Sequence, residues 1–427
     1  MSSKTIDIIV LLRNKPNVLQ KFLTTWSPAS LRNATTVNTD SQSSPIFGGA
    51  KVLLMGYYGM GNLGDEMMLV CLKSWLQQQG FDPTVLSERP EEVSKHHGLA
   101  AVENSPILGE WAWRTSWFKG GAWRVIRAIA RSDALIIGGG DLVRDDLGWR
   151  TFFYTIEKLI LALLMGKKIY VVNAGIGQLS TRYGRFVLRQ VLGRCHRIIV
   201  RDLHSEQVCK QLGVDSVAVL APDIVLSLPD LLVKRSGVLP KTYPSKRYVV
   251  VSLRHDPDVF RRYAMGAARI RTLARALDEL IERRAVDVVF IPFQEDPASG
   301  RGDAQIHKMM AQAMAHQDCV HVLPWTRDLD EVCRWIRGAQ LVISMRLHAA
   351  VLAHAFARPS VLMPCDRKIR EFGRLMGIGH TIEPANLDEV SRITSVLENA
   401  WLDTQGKGET LRLSVAFLWA GLRLEAT

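Results

Sequence analysis

The sequence predicts an α/β protein built from two doubly wound, Rossmann-like domains that face a common cleft. Three observations lead to this prediction. Short apolar runs alternate with amphipathic segments of helical period from Lys51 onwards. A polar stretch with two prolines, Lys234–Lys246, interrupts the alternation once, and the same pattern then resumes. The chain has 427 residues, and a domain usually takes roughly 100–200, so two domains are favoured over one.

These observations divide the chain into five parts. We expect a flexible N-terminal extension over residues 1–48, an N-terminal α/β domain over 49–233, a linker over 234–246, a C-terminal α/β domain over 247–383 and a helical tail over 384–427. The extension is rich in Ser and Thr and poor in acidic residues, which is also the composition of some targeting peptides. Two interpretations of residues 1–48 therefore stay open, a flexible extension and a targeting segment.

In the first series, the apolar run Lys51–Met55 predicts a buried strand that ends at Gly56. A helix over Asp65–Gln79 follows, because its Met and Leu residues recur on one face. The same two patterns predict the remaining elements of this series: strands at Pro83–Ser87, Ala134–Ile137, Lys168–Asn173, Arg197–Val200 and Val217–Leu220, and helices at Thr155–Met165 and Arg185–Leu192.

The second series repeats the alternation after the linker. Its predicted elements are strands at Tyr248–Leu253, Asp287–Phe293, Val320–Leu323, Leu341–Ser344 and Ser360–Met363, and helices at Ala267–Arg283, Asp303–Ala315, Leu329–Arg337 and Leu347–Ala355. In such a fold a ligand binds at the carboxyl ends of the strands, so we expect the site in the cleft between the two domains.

Composition excludes several classes of protein. The 47% hydrophobic and 22% charged fractions are typical of a globular chain and not of a disordered one. The longest apolar candidate, Leu159–Met165, is too short to span a membrane. Six cysteines without a C-x-x-C pair indicate neither a zinc site nor a disulfide framework. We therefore expect no zinc site and a reducing, cytoplasmic location.

The charge balance favours an anionic partner. The chain has 54 Lys and Arg against 42 Asp and Glu, which is a formal net charge of +12. These basic residues are mostly Arg, and they are spread along the chain without a nucleic-acid recognition signature, so we expect no nucleic acid.

Two glycine-rich loops follow predicted strands, one after Met55 and one after Ile137. Glycine lets a backbone approach an anion closely, and a helix N-terminus favours negative charge. A structural interpretation stays open, in which both loops are tight turns and Asp65 caps the first helix. The candidate cleft residues of the two loops are Gly59, Asn62, Gly64, Asp65, Gly139 and Gly140.

Cations and one histidine also follow strands in both series. Arg346 and His348 lie where a strand enters a helix, a place where an Arg can hold a carboxylate or phosphate bidentately. Histidine is suited to proton exchange near neutral pH. Lys368, Arg201 and Arg254 follow other strands. We expect these side chains to converge on a small, multiply anionic ligand, although each alone could be a surface or ion-paired residue.

Six motifs follow one another along the chain: Gly56–Glu66, Gly138–Leu142, Gly175–Gly177, Arg201-Asp202 with Ser205, Asp223–Leu226 and Ser344–Ala349. This ordered set resembles the polysaccharide pyruvyl transferase family, and most closely its bacterial members that act on cell-wall-linked polysaccharide. The match covers about Lys51 to Gly379. Two positions depart from the usual pattern, because Asp141 replaces a common Ser and Gln178 a common Pro.

The resemblance implies a fold like that of the GT-B glycosyltransferases, with phosphoenolpyruvate as co-substrate and with neither metal nor organic prosthetic group. Transfer would join pyruvate as a ketal to a sugar of a cell-wall or exopolysaccharide glycan, or of its lipid-linked precursor, and release phosphate. It implies that His348 is the catalytic acid/base and that Lys368 binds the donor, with Arg346, Arg201 and Arg254 as further donor-binding cations.

The segment Trp111–Arg131 combines four Trp with basic residues, a mixture found in interfacial helices. A helix over Trp117–Ala130 with one apolar face would allow peripheral contact with an anionic membrane at its inner face. The alternative is a helix at the domain edge that packs its Trp side chains inward.

Two other functions share the predicted architecture. One is a nucleotide-sugar glycosyltransferase of the GT-B type, but no Glu-rich motif suited to a ribose is evident in the second domain. The other is a non-catalytic glycan- or anion-binding protein, which the joint presence of Arg346, His348 and Lys368 disfavours. The acceptor sugar, its hydroxyl pair and the oligomeric state are left open.

Overall fold

The computed structural model describes residues 51–108, 116, 119–140, 143–146, 148–177, 179–236, 246–255, 265–296 and 301–403. The expected extension over residues 1–48 lies outside the described residues, as do 237–245 of the expected linker and 404–427 of the expected tail. The proposed domain boundaries therefore stay predictions.

The first half of the chain forms a seven-stranded parallel sheet in the order β3-β2-β1-β4-β5-β6-β7. Its strands are β1 Lys51–Met55, β2 Asp82–Ser87, β3 Ala100–Glu103, β4 Ala134–Gly138, β5 Lys168–Ala174, β6 Arg197–Val200 and β7 Ala218–Leu220. The helices of this half are α1 Leu63–Gln78, α2 Pro90–His97, α3 Gly121–Arg131, α4 Trp149–Leu164, α5 Arg182–Leu192, α6 Leu203–Leu212 and α7 Leu228–Ser236.

The second half forms a five-stranded parallel sheet in the order β12-β9-β8-β13-β14 and a short antiparallel hairpin. The strands are β8 Tyr248–Ser252, β9 Asp287–Phe290, β10 Glu295–Asp296, β11 Arg301–Gly302, β12 Val320–Val322, β13 Leu341–Ser344 and β14 Ser360–Leu362. Its helices are α8 Ala267–Arg284, α9 Asp303–Ala313, α10 Leu329–Gly338, α11 Leu347–Ala355, α12 Arg367–Met376 and α13 Val390–Leu402. Two doubly wound parallel sheets confirm the predicted fold class.

Four helices, α1, α3, α4 and α5, begin at other residues than the sequence predicts. Helix α1 begins at Leu63 because Asn62 caps it, its side chain accepting a hydrogen bond from Gly64 N at 3.0 Å. The alternative in which Asp65 is the cap is therefore wrong. Helix α4 begins at Trp149, one and a half turns before the predicted start at Thr155.

The helix predicted over Trp117–Ala130 is observed over Gly121–Arg131, and Gly120 before it has a left-handed φ of 72°. Its apolar side, with Val125 and Ile129, is buried, whereas Trp123 is 48% exposed. Trp111, Trp113 and Trp117 lie outside the described residues, so membrane contact by this segment stays a prediction. Within the described part of the chain, no helix is both long and apolar enough to cross a membrane.

Candidate active site

Both sheets place several of the predicted site residues at their topological switch points, whereas Arg201 follows β6 and Lys368 follows β14. The strand order reverses between β1 and β4 in the first sheet and between β8 and β13 in the second. Open α/β sheets bind ligands in the crevice outside the strand ends at such a point. The two glycine-rich loops follow β1 and β4, Arg254 follows β8, and Arg346 and His348 follow β13.

Backbone hydrogen bonds join the first glycine-rich loop to the second half of the chain. Leu63 N donates to Phe293 O at 2.9 Å, and Glu295 N donates to Gly61 O at 3.0 Å. Gly61 has a φ of 75°, and a Cβ at this position would lie 2.1 Å from Glu295 O. Only glycine therefore permits this approach, which holds the start of α1 against the end of β9.

His348 lies in the first turn of α11, and its imidazole packs on the start of α1. Its Nε2 is 3.5 Å from Asp223 Oδ2, an ion-pair distance, and makes no hydrogen bond to a described residue. Its Nδ1 occupies the space where a side chain at Gly64 would begin, because a Cβ there would lie 1.9 Å from this atom. His348 can adopt this orientation only because residue 64 is glycine.

We expect Gly64→Ala to lower kcat by about tenfold or more, because the new methyl group forces the His348 ring out of its position. The loss of stability should be small, since the imidazole can rotate and alanine favours a helix over glycine by about 1 kcal/mol. The check is steady-state kinetics with a melting curve. Gly379→Ala is the control, because a Cβ there meets nothing within 4 Å; equal activity of the two variants would contradict the prediction.

Asp223 connects His348 with Arg201 across the two halves of the chain. Its Oδ2 accepts a hydrogen bond from Arg201 Nη1 at 3.1 Å, and its Oδ1 accepts one from Val225 N at 3.0 Å. Burial by itself raises the pKa of this carboxyl, but the charges of His348 and Arg201 outweigh it and hold the pKa well below its usual range. Asp223 is therefore ionised at neutral pH and can orient the imidazole.

Asn173, at the end of β5, holds the loop that carries Asp223. Its Nδ2 donates to Pro222 O at 2.8 Å, and its Oδ1 accepts from Ile224 N at 2.9 Å. The residue has a φ of 55°, a left-handed conformation that asparagine tolerates better than most residues. Sequence reasoning assigned no role to Asp223, although Asp223–Leu226 is one of the six motifs on which the family resemblance rests.

Asp65 lies in the first turn of α1, buried beside the same cluster. A Cβ on Gly139, in the second glycine-rich loop, would lie 3.4 Å from its Oδ1. Burial raises the pKa of Asp65 to about 6. The charges of His348, Arg201 and Lys368 act in the opposite direction, which locates all three close to this carboxyl.

We expect Asp65→Asn to raise the free energy of unfolding above pH 6 by up to about 3 kcal/mol. An Asp in the unfolded chain ionises near its ordinary pKa of 3.8, whereas Asp65 in the folded protein ionises at about 6. The folded state thus holds the extra proton between these values, so wild-type stability falls as pH rises through them. Melting curves at pH 4 and pH 8 check this: the advantage of the variant should vanish at pH 4, and an equal difference at both pH values would contradict it.

The other members of the glycine-rich loops have structural contacts. Gly59 N donates to Glu66 Oε1 at 2.8 Å, and Glu66 Oε2 lies 2.5 Å from His97 Nε2. Gly140 O accepts a hydrogen bond from Gly175 N at 2.8 Å. These contacts hold the two loops in place around Asp65.

The structure separates the five predicted site side chains into two groups. His348, Arg201 and Lys368 lie close enough to Asp65 for their charges to lower its pKa, whereas Arg346 and Arg254 pair with carboxylates of the second half. Arg346 donates from Nε and Nη2 to Asp303 at 2.9 and 2.5 Å and from Nη1 to Gln294 Oε1 at 2.9 Å. Arg254 Nη1 lies 3.1 Å from Asp366 Oδ2. Donor binding by each of these cations stays a prediction.

The described residues include no group of three or more His, Cys, Asp or Glu side chains that could hold a metal ion. Arg201 and Lys368 instead bring two cations close to His348, a group that can exchange protons. Such an arrangement suits an anionic ligand whose reaction includes proton transfer.

The fold resembles that of UDP-GlcNAc 2-epimerases and of a glycosyltransferase. UDP-GlcNAc 2-epimerase from Neisseria meningitidis, bound to UDP-GlcNAc, has a TM-score of 0.55 at 11% identity, over 83% of this chain and 94% of its own. A second UDP-GlcNAc 2-epimerase, from Methanocaldococcus jannaschii, has a TM-score of 0.54 at 11% identity, over 82% and 92%. A glycosyltransferase from Rickettsia africae has a TM-score of 0.52 at 11% identity, over 89% and 100%. At this identity the likeness shows the GT-B-like fold alone.

At the level of sequence, no curated protein matches this chain. The family model described as polysaccharide pyruvyl transferase matches residues 62–367, which is well over half of the chain. The matched range includes the end of the first of the six motifs and all of the other five. The match confirms the resemblance that the ordered motifs indicate. The chain therefore belongs to the polysaccharide pyruvyl transferase family.

Proposed function

We propose that this protein transfers the pyruvyl group of phosphoenolpyruvate to two hydroxyl groups of one sugar in a glycan. The product is a pyruvate ketal, and inorganic phosphate is released. The observation that carries the proposal is the buried cluster in which Asp223 joins Arg201 and His348 from opposite halves of the chain. Lys368 and Asp65 lie close to the same cluster.

The reaction forms two carbon–oxygen bonds, breaks one and redistributes two protons, without any oxidation or reduction. Both sugar oxygens bond to the central carbon of the donor, and the bond between that carbon and the phosphate oxygen breaks. Of the two hydroxyl protons, one ends on the methylene carbon, which becomes a methyl group, and the other leaves with phosphate. A protein that catalyses this must therefore accept and deliver protons at two places.

Two side chains of the cluster suit these proton transfers. His348 is the proton shuttle to the methylene carbon, and the Asp223 carboxylate beside its Nε2 stabilises the protonated ring. Asp65, whose pKa of about 6 leaves it ionised yet basic at neutral pH, accepts a hydroxyl proton. Arg201 and Lys368 hold the anionic groups of the donor and stabilise the charge on the departing phosphate.

We expect Lys368→Ala to raise the KM for phosphoenolpyruvate by about 10- to 100-fold, because a charge-assisted contact is worth roughly 1.5–3 kcal/mol. The KM for the acceptor should change little. Arg374→Ala is a matched control, since Arg374 is an exposed cation on the same helix, α12. An unchanged KM for the donor in Lys368→Ala would place the donor site elsewhere.

The function is tested by incubating the protein with phosphoenolpyruvate and a panel of glycans and measuring phosphate release together with the new ketal methyl signal in the NMR spectrum. We expect both signals with wild type, and we expect both to form at least about 100-fold more slowly with His348→Ala. A nucleotide-sugar glycosyltransferase would instead release nucleotide from a nucleotide sugar. A non-catalytic glycan- or anion-binding protein would release nothing, and either result would overturn the proposal.

A further inference from the structure

Three aromatic rings form a continuous surface at the starts of α4 and α5, which we call the aromatic platform: Trp149, Phe153 and Tyr183. The ring centroids of Trp149 and Phe153 are 5.7 Å apart with an interplanar angle of 77°, and Phe153 and Tyr183 stack at 6.3 Å and 27°. Trp149 is 66% exposed and Tyr183 is 40% exposed. Large apolar side chains that stay exposed together mark binding surfaces more often than isolated ones do.

The platform is anchored in the core, so its rings are held in place before any ligand arrives. Phe153 contacts the buried Phe152 edge to face, with centroids 5.8 Å apart. The buried Asp145 accepts hydrogen bonds from Ser180 N at 2.5 Å and from Thr181 N and Oγ1 at 2.9 and 2.6 Å. This contact ties the loop before α4 to the first turn of α5, and a pre-organised surface loses less entropy on binding.

The same two loops connect the platform to the catalytic cluster. After β4 and β5 they pair along the carboxyl edge of the first sheet, where Gly175 N donates to Gly140 O at 2.8 Å and Gly177 N donates to Val143 O at 2.9 Å. Gly139, next to Gly140, lies against Asp65. The platform therefore lies at the carboxyl edge of the first sheet, the same edge that carries Gly139 beside Asp65.

We propose that the aromatic platform binds a pyranose ring of the glycan acceptor, which rests on the proposed function for the identity of the reaction. The apolar C–H face of a pyranose carries partial positive charge and complements the negative face of an aromatic ring, while the sugar hydroxyls stay in contact with water. Exposed guanidinium groups on the same helix starts, those of Arg150, Arg182 and Arg185, are available to hydroxyl or anionic substituents.

A lipid surface fits the platform less well. Helices that lie on membranes present a long apolar face beside a basic one. In α4 the other large apolar side chains point inward, and Phe152, Ile156 and Leu159 are all buried. Two exposed rings on separate helices suit one or two sugar units better than an acyl-chain layer.

The experiment measures glycan binding without the donor. Wild type, the double variant Trp149→Ala/Tyr183→Ala and the control Trp123→Ala are compared by saturation-transfer NMR with neutral gluco-, galacto-, manno- and N-acetylhexosamine-containing oligosaccharides. Trp123 is also exposed but lies on α3. We expect at least one oligosaccharide to bind wild type and the control equally and to bind the double variant about tenfold or more weakly, equivalent to about 1.4 kcal/mol. In a separate activity assay, the KM for phosphoenolpyruvate should be the same for wild type and the double variant.

Three results would overturn the proposal that the platform binds a sugar. Either no oligosaccharide binds wild type, or the double variant binds oligosaccharides as well as wild type does. The third is that the double substitution leaves oligosaccharide binding intact and abolishes only co-sedimentation with vesicles of anionic phospholipid. The melting temperature of the double variant must match wild type, and a single Trp149→Phe variant, which keeps an aromatic face, should retain most binding. Platform-dependent glycan binding without phosphate release from phosphoenolpyruvate would instead support the platform and reject the proposed reaction, so the two failures are distinguishable.

Discussion

His348→Ala lowers kcat by about 10²–10⁴-fold, because the proposed reaction loses the histidine that contacts Asp223. Arg201 still pairs with Asp223 in this variant, so the carboxylate does not lose both partners and the fold should persist. The measurement is the single-turnover rate of phosphate release at saturating donor and acceptor. The KM for phosphoenolpyruvate should change far less than kcat.

A second histidine on the same helix provides a matched control for this prediction. His354 lies two turns further along α11 and contacts the Phe372 ring, with centroids 6.1 Å apart. We expect His354→Ala to keep most activity. We also expect imidazole added to His348→Ala to restore part of the rate, because the substitution vacates the space next to Gly64. A folded His348→Ala protein with near wild-type turnover would falsify the proton-shuttle role.

The elements that flank the site are predictable from sequence because their signals are local. The apolar run Lys51–Met55 and the glycines after it appear in the structure as β1 and its loop. His348 and Arg346 follow β13 for the same reason. In doubly wound sheets the ends of such strands are where ligands bind, so short-range patterns suffice to nominate these residues.

The partners of these residues are not predictable in the same way, because long-range contacts decide them. Asn62 and Asp65 are both good helix caps, and the contact of Leu63 N with Phe293 O in the other half of the chain favours the earlier start. Asp223, in the loop after β7, acquires its position from Asn173 on β5, two strands away in the sheet. No local pattern around Asp223 contains that information.

The contacts of Arg346 are also long-range and could not be predicted from the sequence. They lead to the second large expected effect, a loss of stability on substitution of Asp303. Sequence reasoning saw an arginine at a strand end and expected it to bind the donor. In the structure, two of the three guanidinium nitrogens of Arg346 donate hydrogen bonds to Asp303. Asp303 is a fully buried carboxylate that also accepts hydrogen bonds from Phe293 N and Gln294 N at 3.0 Å each. A further hydrogen bond comes from His255 N at 3.2 Å. Asp303 thus connects the ends of β8, β9 and β13.

We therefore expect Asp303→Ala to lower the free energy of unfolding by about 3–5 kcal/mol, because it leaves the Arg346 guanidinium and three backbone N–H groups buried without their acceptor. Activity should fall as well, since Phe293 and Glu295 hold the start of α1 on which His348 packs.

The pair between Arg269 and Asp388 is the appropriate control for Asp303→Ala. It has the same bidentate geometry, with distances of 2.8 and 2.9 Å, but it lies at the surface. Water screens and replaces an exposed pair, so Asp388→Ala should leave stability and activity nearly unchanged. Chemical denaturation of both variants measures the difference. Equal, small losses would mean that Arg346 does not depend on Asp303, and its guanidinium would then be available to hold the donor as the sequence first indicated.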